Sequence, residues 1–215
     1  MKISFLLIIL SVLNGFICKS QISPADFDYG RVENDKYVNN YFGFEIMLPI
    51  NWIVQSKEQL ANAIETGKNI VIGDDTNMRA VIKASEVNIA NLLAVSQYAK
   101  GAAVEYNPSI VIIAENVKNT TGIKKGSDYL FHARRWMMQS QFKYDYLDEQ
   151  FEKEIISGTD FYKMNAGVNF LGLDIKQIYY TTVLKGFCLN IVISFVNDKQ
   201  KEELLNSIKS IKIRY

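Results

Sequence analysis

From Tyr37 onward the chain switches between two hydrophobic rhythms. Phe42, Phe44, Ile46 and Leu48 stand at every second position, separated by Gly43, Glu45 and Met47, which is the period of a half-buried strand. Pro49 ends the run, Asn51 turns it, and Trp52-Ile53-Val54 opens a second short strand. Ser56-Lys57-Glu58-Gln59 reads as a capping box, because a Ser hydroxyl can accept from the N–H that Gln59 carries. Leu60, Ala63 and Ile64 then follow at helical spacing, and Gly67 suits a left-handed stop. Ile70 to Ile72 fits a strand or a helical turn equally well. Asp74-Asp75-Thr76 offers a further helix start, followed by Met78, Val81, Ile82 and Ser85.

The second half is richer in strands. Ile89 to Tyr98 and Ser109 to Val117 read as strands linked by the loop Gly101 to Pro108. Ser127 to Met138 is helical, with Leu130, Ala133 and Met137, flanked by Trp136, as its apolar face. Phe151 to Ile156, Phe161 to Phe170, Leu173 to Leu184 and Phe187 to Val196 form a succession of strands with turn signals at Gly158, Gly172 and Gly186. Leu184-Lys185-Gly186-Phe187 has the form of a two-residue hairpin. Asn197 and Asp198 cap a last helix with Leu204, Leu205 and Ile208 turned inward, and Ile211-Lys212-Ile213 closes the chain. Strands in runs with segregated helices predict an α+β fold with a mainly antiparallel β-sheet packed between helices.

The first residues follow a different logic. Lys2 gives a short positive region, Ile3 to Phe16 is apolar apart from Ser4, Ser11, Asn14 and Gly15, and Cys18-Lys19-Ser20 places small residues before a cut after Ser20. This is the layout of a secretory signal. Its apolar core falls short of the roughly 20 residues that span a bilayer comfortably. A lipoprotein reading would acylate Cys18, but Ile17 and Gly15 occupy positions where such signals carry a small residue and a Leu. The expected organisation is a signal peptide over 1–20, a loose arm over 21–36 and one α+β domain over 37–215. The expected location is periplasmic or extracellular, with anchoring through Cys18 or an uncleaved leader as the lesser alternative. No second apolar stretch approaches spanning length, so no transmembrane span is expected in the mature chain.

Composition narrows the chemistry. The 48% hydrophobic content suits a packed core. Loss of Lys2 and Lys19 with the leader takes the formal charge from +1 to −1, so there is no basic footprint for nucleic acid. The pairs Lys124-Lys125 and Arg134-Arg135 read as solvated helix-end and helix-face charges. Cleavage leaves Cys188 as the one cysteine, which excludes an intramolecular disulfide and points to a small buried hydrophobe. His132 is the one histidine, which removes zinc sites that need two His or several Cys. A calcium site of carboxylates and carbonyls needs neither, but no EF-hand spacing is present. No Gly-x-Ser-x-Gly elbow, Gly-x-Gly-x-x-Gly or Walker A sequence occurs. Asn119-Thr120-Thr121 matches a glycosylation sequon that matters only in a eukaryotic secretory route. No metal, cofactor or catalytic residue is therefore assigned.

One segment stands apart. Asp145, Asp148, Glu149, Glu152 and Glu154 cluster among Tyr144, Tyr146 and Phe151. Two facing carboxylates with aromatic walls are what a glycosidase needs, so a small secreted hydrolase using residues between Asp145 and Glu154 is the alternative function. The binding reading makes Tyr144, Asp145, Tyr146 and Asp148 a contact surface for another protein, since Tyr combines a large apolar body with a polar tip. The plain structural reading is a strand that buries Phe142, Tyr144 and Tyr146 on one face.

The run from Tyr37 through Phe42-Gly43-Phe44 to Pro49 and Trp52 resembles the opening of secreted PsbP-like proteins. The ending is similar as well: a hairpin from Tyr179 to Phe195, a helix containing Leu204 and Leu205, then Ser210-Ile211-Lys212-Ile213. The middle, from Ile70 to Gln139, carries no matching motif. The resemblance implies an antiparallel sheet between helices and a family that includes the photosystem extrinsic protein P and the DcrB-like lipoproteins, whose members bind or assemble other proteins. No functional residue carries over, and the poor lipobox departs from DcrB-like anchoring. The function expected on these grounds is an exported, non-enzymatic binding or assembly module.

Overall fold

A computed structural model of the chain describes residues 27–76, 79 and 88–214. The signal segment and most of the helix expected after Asp74-Asp75-Thr76 lie outside the described residues. So does the first part of the arm.

The described strands form two antiparallel sheets. The smaller holds β1 (Arg31–Glu33), β2 (Lys36–Asn39), β3 (Phe44–Met47) and β12 (Lys212–Ile213), in the order β1-β2-β3-β12. The larger holds β4 (Ile53–Val54), β5 (Ile89–Ser96), β6 (Ser109–Asn116), β7 (Tyr146–Leu147), β8 (Glu152–Ile156), β9 (Thr159–Phe170), β10 (Leu173–Leu184) and β11 (Phe187–Phe195). Its order is β4-β5-β6-β11-β10-β9-β7, with β8 also paired to β9. Among the described residues three helices pack against it: α1 (Lys57–Ile72), α2 (Gly126–Gln139) and α3 (Asp198–Lys209). The α+β class and the antiparallel sheet between helices are as the sequence predicts.

Alternation along the central strands divides the core. On β11, Phe187, Leu189, Ile191, Ile193 and Phe195 face the small sheet and α3, where they pack with Phe42, Phe44, Ile46, Leu204 and Ile208. The opposite face of the large sheet meets α1 through Leu60 and Ile64, which pack with Ala94, Val111 and Ile113. It meets α2 through Leu130 and Met137, which pack with Met164, Tyr179 and Val192.

Tight turns set the registers. Ser157-Gly158, Leu171-Gly172 and Lys185-Gly186 all carry positive φ at both positions, and each joins strands whose flanking residues pair directly, as Leu184 does with Phe187. A two-residue turn with both φ positive matches the right-handed twist of the strands it connects.

Two local expectations are corrected. The arm expected to be loose over 21–36 is structured in its described part. Arg31–Glu33 pairs with β2 across a positive-φ turn at Asn34 and Asp35, and Phe27 packs against Tyr29, Phe42 and Phe187. Gly67 does not stop α1. The capping box forms at Ser56 and Gln59, but the helix runs on to Ile72 and ends at Gly73, whose φ is 50°. A helix tolerates an interior Gly at about 1 kcal/mol, so Gly67 stays helical while Gly73 takes the left-handed position.

Gly126 shows how closely α2 sits on the sheet. A Cβ at this position would run into the Thr181 carbonyl oxygen of β10. Gly126→Ala should therefore destabilise the protein by roughly 1–3 kcal/mol through overpacking in urea unfolding. Gln139→Ala at the exposed end of the same helix should stay within about 0.5 kcal/mol. Equal effects would mean that α2 does not rest on β10 as described.

Candidate functional site

The segment between α2 and β8 holds the residues singled out as a contact surface. Ser140 ends α2, its hydroxyl donating to the Met137 carbonyl at 2.8 Å and the Phe142 carbonyl at 3.0 Å. The chain then runs along the edge of the large sheet as β7. Asp145 N–H donates to the Gly167 carbonyl at 2.9 Å and Asp148 N–H to the Asn165 carbonyl at 3.0 Å, so the segment is tied to β9 at both ends.

The four candidates divide between interior and surface. Tyr144 is half-buried and turned inward, its ring meeting Phe142 edge-on at 5.2 Å and packing against the clusters of both α2 and β10. Asp148 is half-buried, and its Oδ2 accepts from Asn165 N–H at 2.8 Å and Asn165 Nδ2 at 2.6 Å. Asp145 and Tyr146 face outward, with Tyr146 46% exposed. The alternation that would have buried Phe142, Tyr144 and Tyr146 together breaks at the last position. Tyr146 pairs with Gly167 in the ladder, and its ring covers that glycine where a Cβ would collide with it. An edge aromatic laid over a cross-strand glycine replaces the side-chain packing the glycine lacks.

The acidic residues are spread over separate elements. Glu149 pairs with Arg134 of α2 at 3.0 Å, Glu152 with Lys163 at 2.7 Å, and Lys153 with Asp160 at 2.6 Å. Glu152 and Glu154 share a face of β8 and both act on the buried Tyr180, whose hydroxyl is held far above its ordinary range, first by burial and then by these two carboxylates. Asp145 and Asp148 flank β7 and Glu149 is on the loop beyond it, so Glu152 and Glu154 are the two acidic residues of the cluster that share one strand. Among the described residues, no three His, Cys, Asp or Glu side chains lie close enough to hold a metal ion. His132 is half-buried on α2, its ring meeting Phe131 edge-on at 5.6 Å.

Sequence reasoning missed a buried polar layer under the helices. Gln177, Ser194, Ser109 and Ser96 stand in register across β10, β11, β6 and β5, and all four are buried. Tyr106 bonds to Ser194, and Tyr179 donates to Gln177 Oε1 at 2.9 Å. The Tyr144 hydroxyl is buried beside that of Tyr179 without a hydrogen bond of good geometry, and Ser109 Oγ is buried without a partner. The signal was present in the period of two: Gln177, Tyr179 and Thr181 on β10, and Cys188, Asn190 and Ser194 on β11, place polar groups on one face of otherwise apolar strands. Cys188 is buried as expected, with Asn190 Nδ2 at 3.8 Å from its sulfur, and burial pushes its thiol well above the ordinary value.

Comparison with known proteins gives likenesses of chain arrangement. No family model matches the chain, and no curated protein matches it. The chain is similar to a cyanobacterial PsbP from Synechocystis, at 13% identity and a TM-score of 0.49, covering 91% of this chain and 99% of that one. It is also similar to LpqN of Mycobacterium tuberculosis, described as involved in cell envelope biogenesis, at 11% identity, a TM-score of 0.46, and 80% and 83% coverage. A Pseudomonas aeruginosa protein of unknown function is similar at 12% identity and a TM-score of 0.44, covering 59% of this chain and 83% of that one.

The buried tyrosines generate a pH prediction. Burial pushes Tyr106 from 10.0 up to about 12, moderated by its bond to Ser194. Tyr144 and Tyr179 are raised by burial as well. A phenol that stays neutral in the folded chain but ionises in the unfolded one contributes stability that is whole below its ordinary value and lost as pH rises through its folded value. Stability should therefore fall between pH 10 and about 12. The last tyrosinate absorbance should appear in the same step as the loss of native circular dichroism. Full tyrosinate absorbance with native dichroism intact would contradict the burial of this layer.

Proposed function

We propose that the protein is an exported, non-enzymatic binding module that engages another protein along the β7 edge of its large sheet. The observation that carries this reading is the place of β7. It is a two-residue strand at the end of the sheet, held at both ends to β9, with Tyr146 and Asp145 turned outward. An edge strand offers unpaired backbone groups to an incoming chain, and outward side chains add specificity. Tyr146 and Asp145 are the contact residues. Asp148 positions the strand through Asn165, and Tyr144 anchors it to the core. The leader over 1–20 supports export, and the near-neutral charge of the mature chain supports a protein partner over a nucleic acid.

A photo-crosslinking side chain placed at Tyr146, expressed in the cell of origin, tests the reading. The expected result is a specific adduct with an envelope or extracellular protein that is absent when the same group replaces Lys199, an exposed position in the first turn of α3. Tyr146→Ser should weaken that association at least about tenfold while costing no more than about 1 kcal/mol of stability, the scale of one cross-strand pair. Turnover of a polysaccharide or ester by the purified protein, abolished by Glu152→Gln or Glu154→Gln, would favour the hydrolase alternative and overturn the proposal.

A further inference from the structure

The outer face of α2 carries a stripe that neither the core nor the β7 edge uses. Phe131 and Met138 are 61% and 59% exposed, although both are large and apolar. They are seven residues apart, two turns of the helix, and Arg135 lies between them on the same face. Lys124 and Lys125 stand exposed where the helix begins. The stripe is positive as well as apolar. Among the described residues, Arg135 and the Lys124 side chain make no ion pair or hydrogen bond. Lys125 lies over the Tyr162 ring at 5.8 Å. The carboxylate on the stripe, Asp128, is turned back to accept from the Lys124 and Lys125 N–H groups at 3.0 and 3.1 Å. The neighbouring carboxylate of Glu149 is held by Arg134.

We infer that this face docks on an anionic lipid surface. Charge selects the occupant: Lys124 at the N-terminal end and Arg135 in the middle of the ridge, with the Asp128 and Glu149 carboxylates already engaged, match phosphate headgroups. Geometry selects against two other occupants. A second copy laid antiparallel on the same stripe would put its two-fold axis near Arg135 and set the two guanidinium groups against each other. A stable protein interface buries about 800 Å² per partner around a desolvated centre, and two apolar side chains flanking a charged one do not supply that centre. A headgroup layer needs no complementary groove. Phe131 and Met138 enter the boundary between headgroups and acyl chains, while Arg135 and Lys124 reach phosphates with their long stems lying along the surface.

The inference rests on residues separate from those of the β7 edge, so either can fail alone. The test is sedimentation of the exported protein with vesicles of phosphatidylcholine alone and of phosphatidylcholine mixed with phosphatidylglycerol. Binding should require phosphatidylglycerol and weaken with added salt. Arg135→Glu should reduce partitioning roughly tenfold, as should Phe131→Ser combined with Met138→Ser, all with unchanged melting temperatures. Lys199→Glu, a charge reversal of the same size on α3, should leave binding as it is. Absence of vesicle binding, equal binding to neutral vesicles, or equal loss with Lys199→Glu would overturn the inference. A photo-crosslinker at Phe131 that captures a protein while vesicles are not bound would assign the stripe to a protein partner instead.

Discussion

A strand with no exposed side chain needs cover on both faces, and β11 is that strand here. All nine residues from Phe187 to Phe195 are buried. It pairs with β10 over its whole length and with β6 over eight positions, and each of its faces demands a separate layer. Phe187, Leu189, Ile191, Ile193 and Phe195 call for the small sheet and α3. Val192 calls for α2, in company with Met164 and Tyr179. The four-stranded sheet thus follows from the central strand: helix α3 and the Phe44 strand together close a face that α3 does not cover alone. The same burial keeps the Cys188 thiol neutral inside a packed strand.

The face under α1 and α2 is covered at a different cost. It carries Gln177, Ser194, Ser109, Thr181, Asn190 and three tyrosine hydroxyls. Such groups are tolerated in an interior when they bond to one another. Tyr179 to Gln177, Tyr106 to Ser194, and Thr181 to Asn190 at 2.6 Å do so. Tyr144 meets this layer through the packing of its ring with Phe142 and the Met164–Tyr179 cluster. The outward residues Asp145 and Tyr146 are displayed by a short edge segment that is tied to β9 at Gly167 and Asn165.

Legibility in the sequence followed the range of the interaction. The Ser56 capping box, the Asn197 cap and the Lys185-Gly186 hairpin all formed as read, because each is decided within four or five residues. The β1–β2 hairpin was missed although Asn34-Asp35 is a pair that accepts positive φ, since the strand on each side is short and polar. Gly67 was misread because a glycine marks a stop only if the residues beyond it cannot continue the helix. The edge segment shows the limit most clearly. Alternation placed Tyr144 and Tyr146 on one face, and only the pairing of Tyr146 with Gly167, twenty-one residues away in sequence, turned the second ring outward. Register between strands is a property of two segments, and no periodicity within one of them reveals it.

The central claim is that a rigid, doubly covered β11 carries a weakly held edge at β7. Native-state hydrogen exchange measures both at once. The account predicts that the β11 amides exchange only through global unfolding, with the same denaturant dependence as the whole chain. The Tyr146 and Leu147 amides should exchange by a local opening that denaturant barely affects. Protection of β7 equal to that of β11, or sub-global exchange along β11, would contradict it.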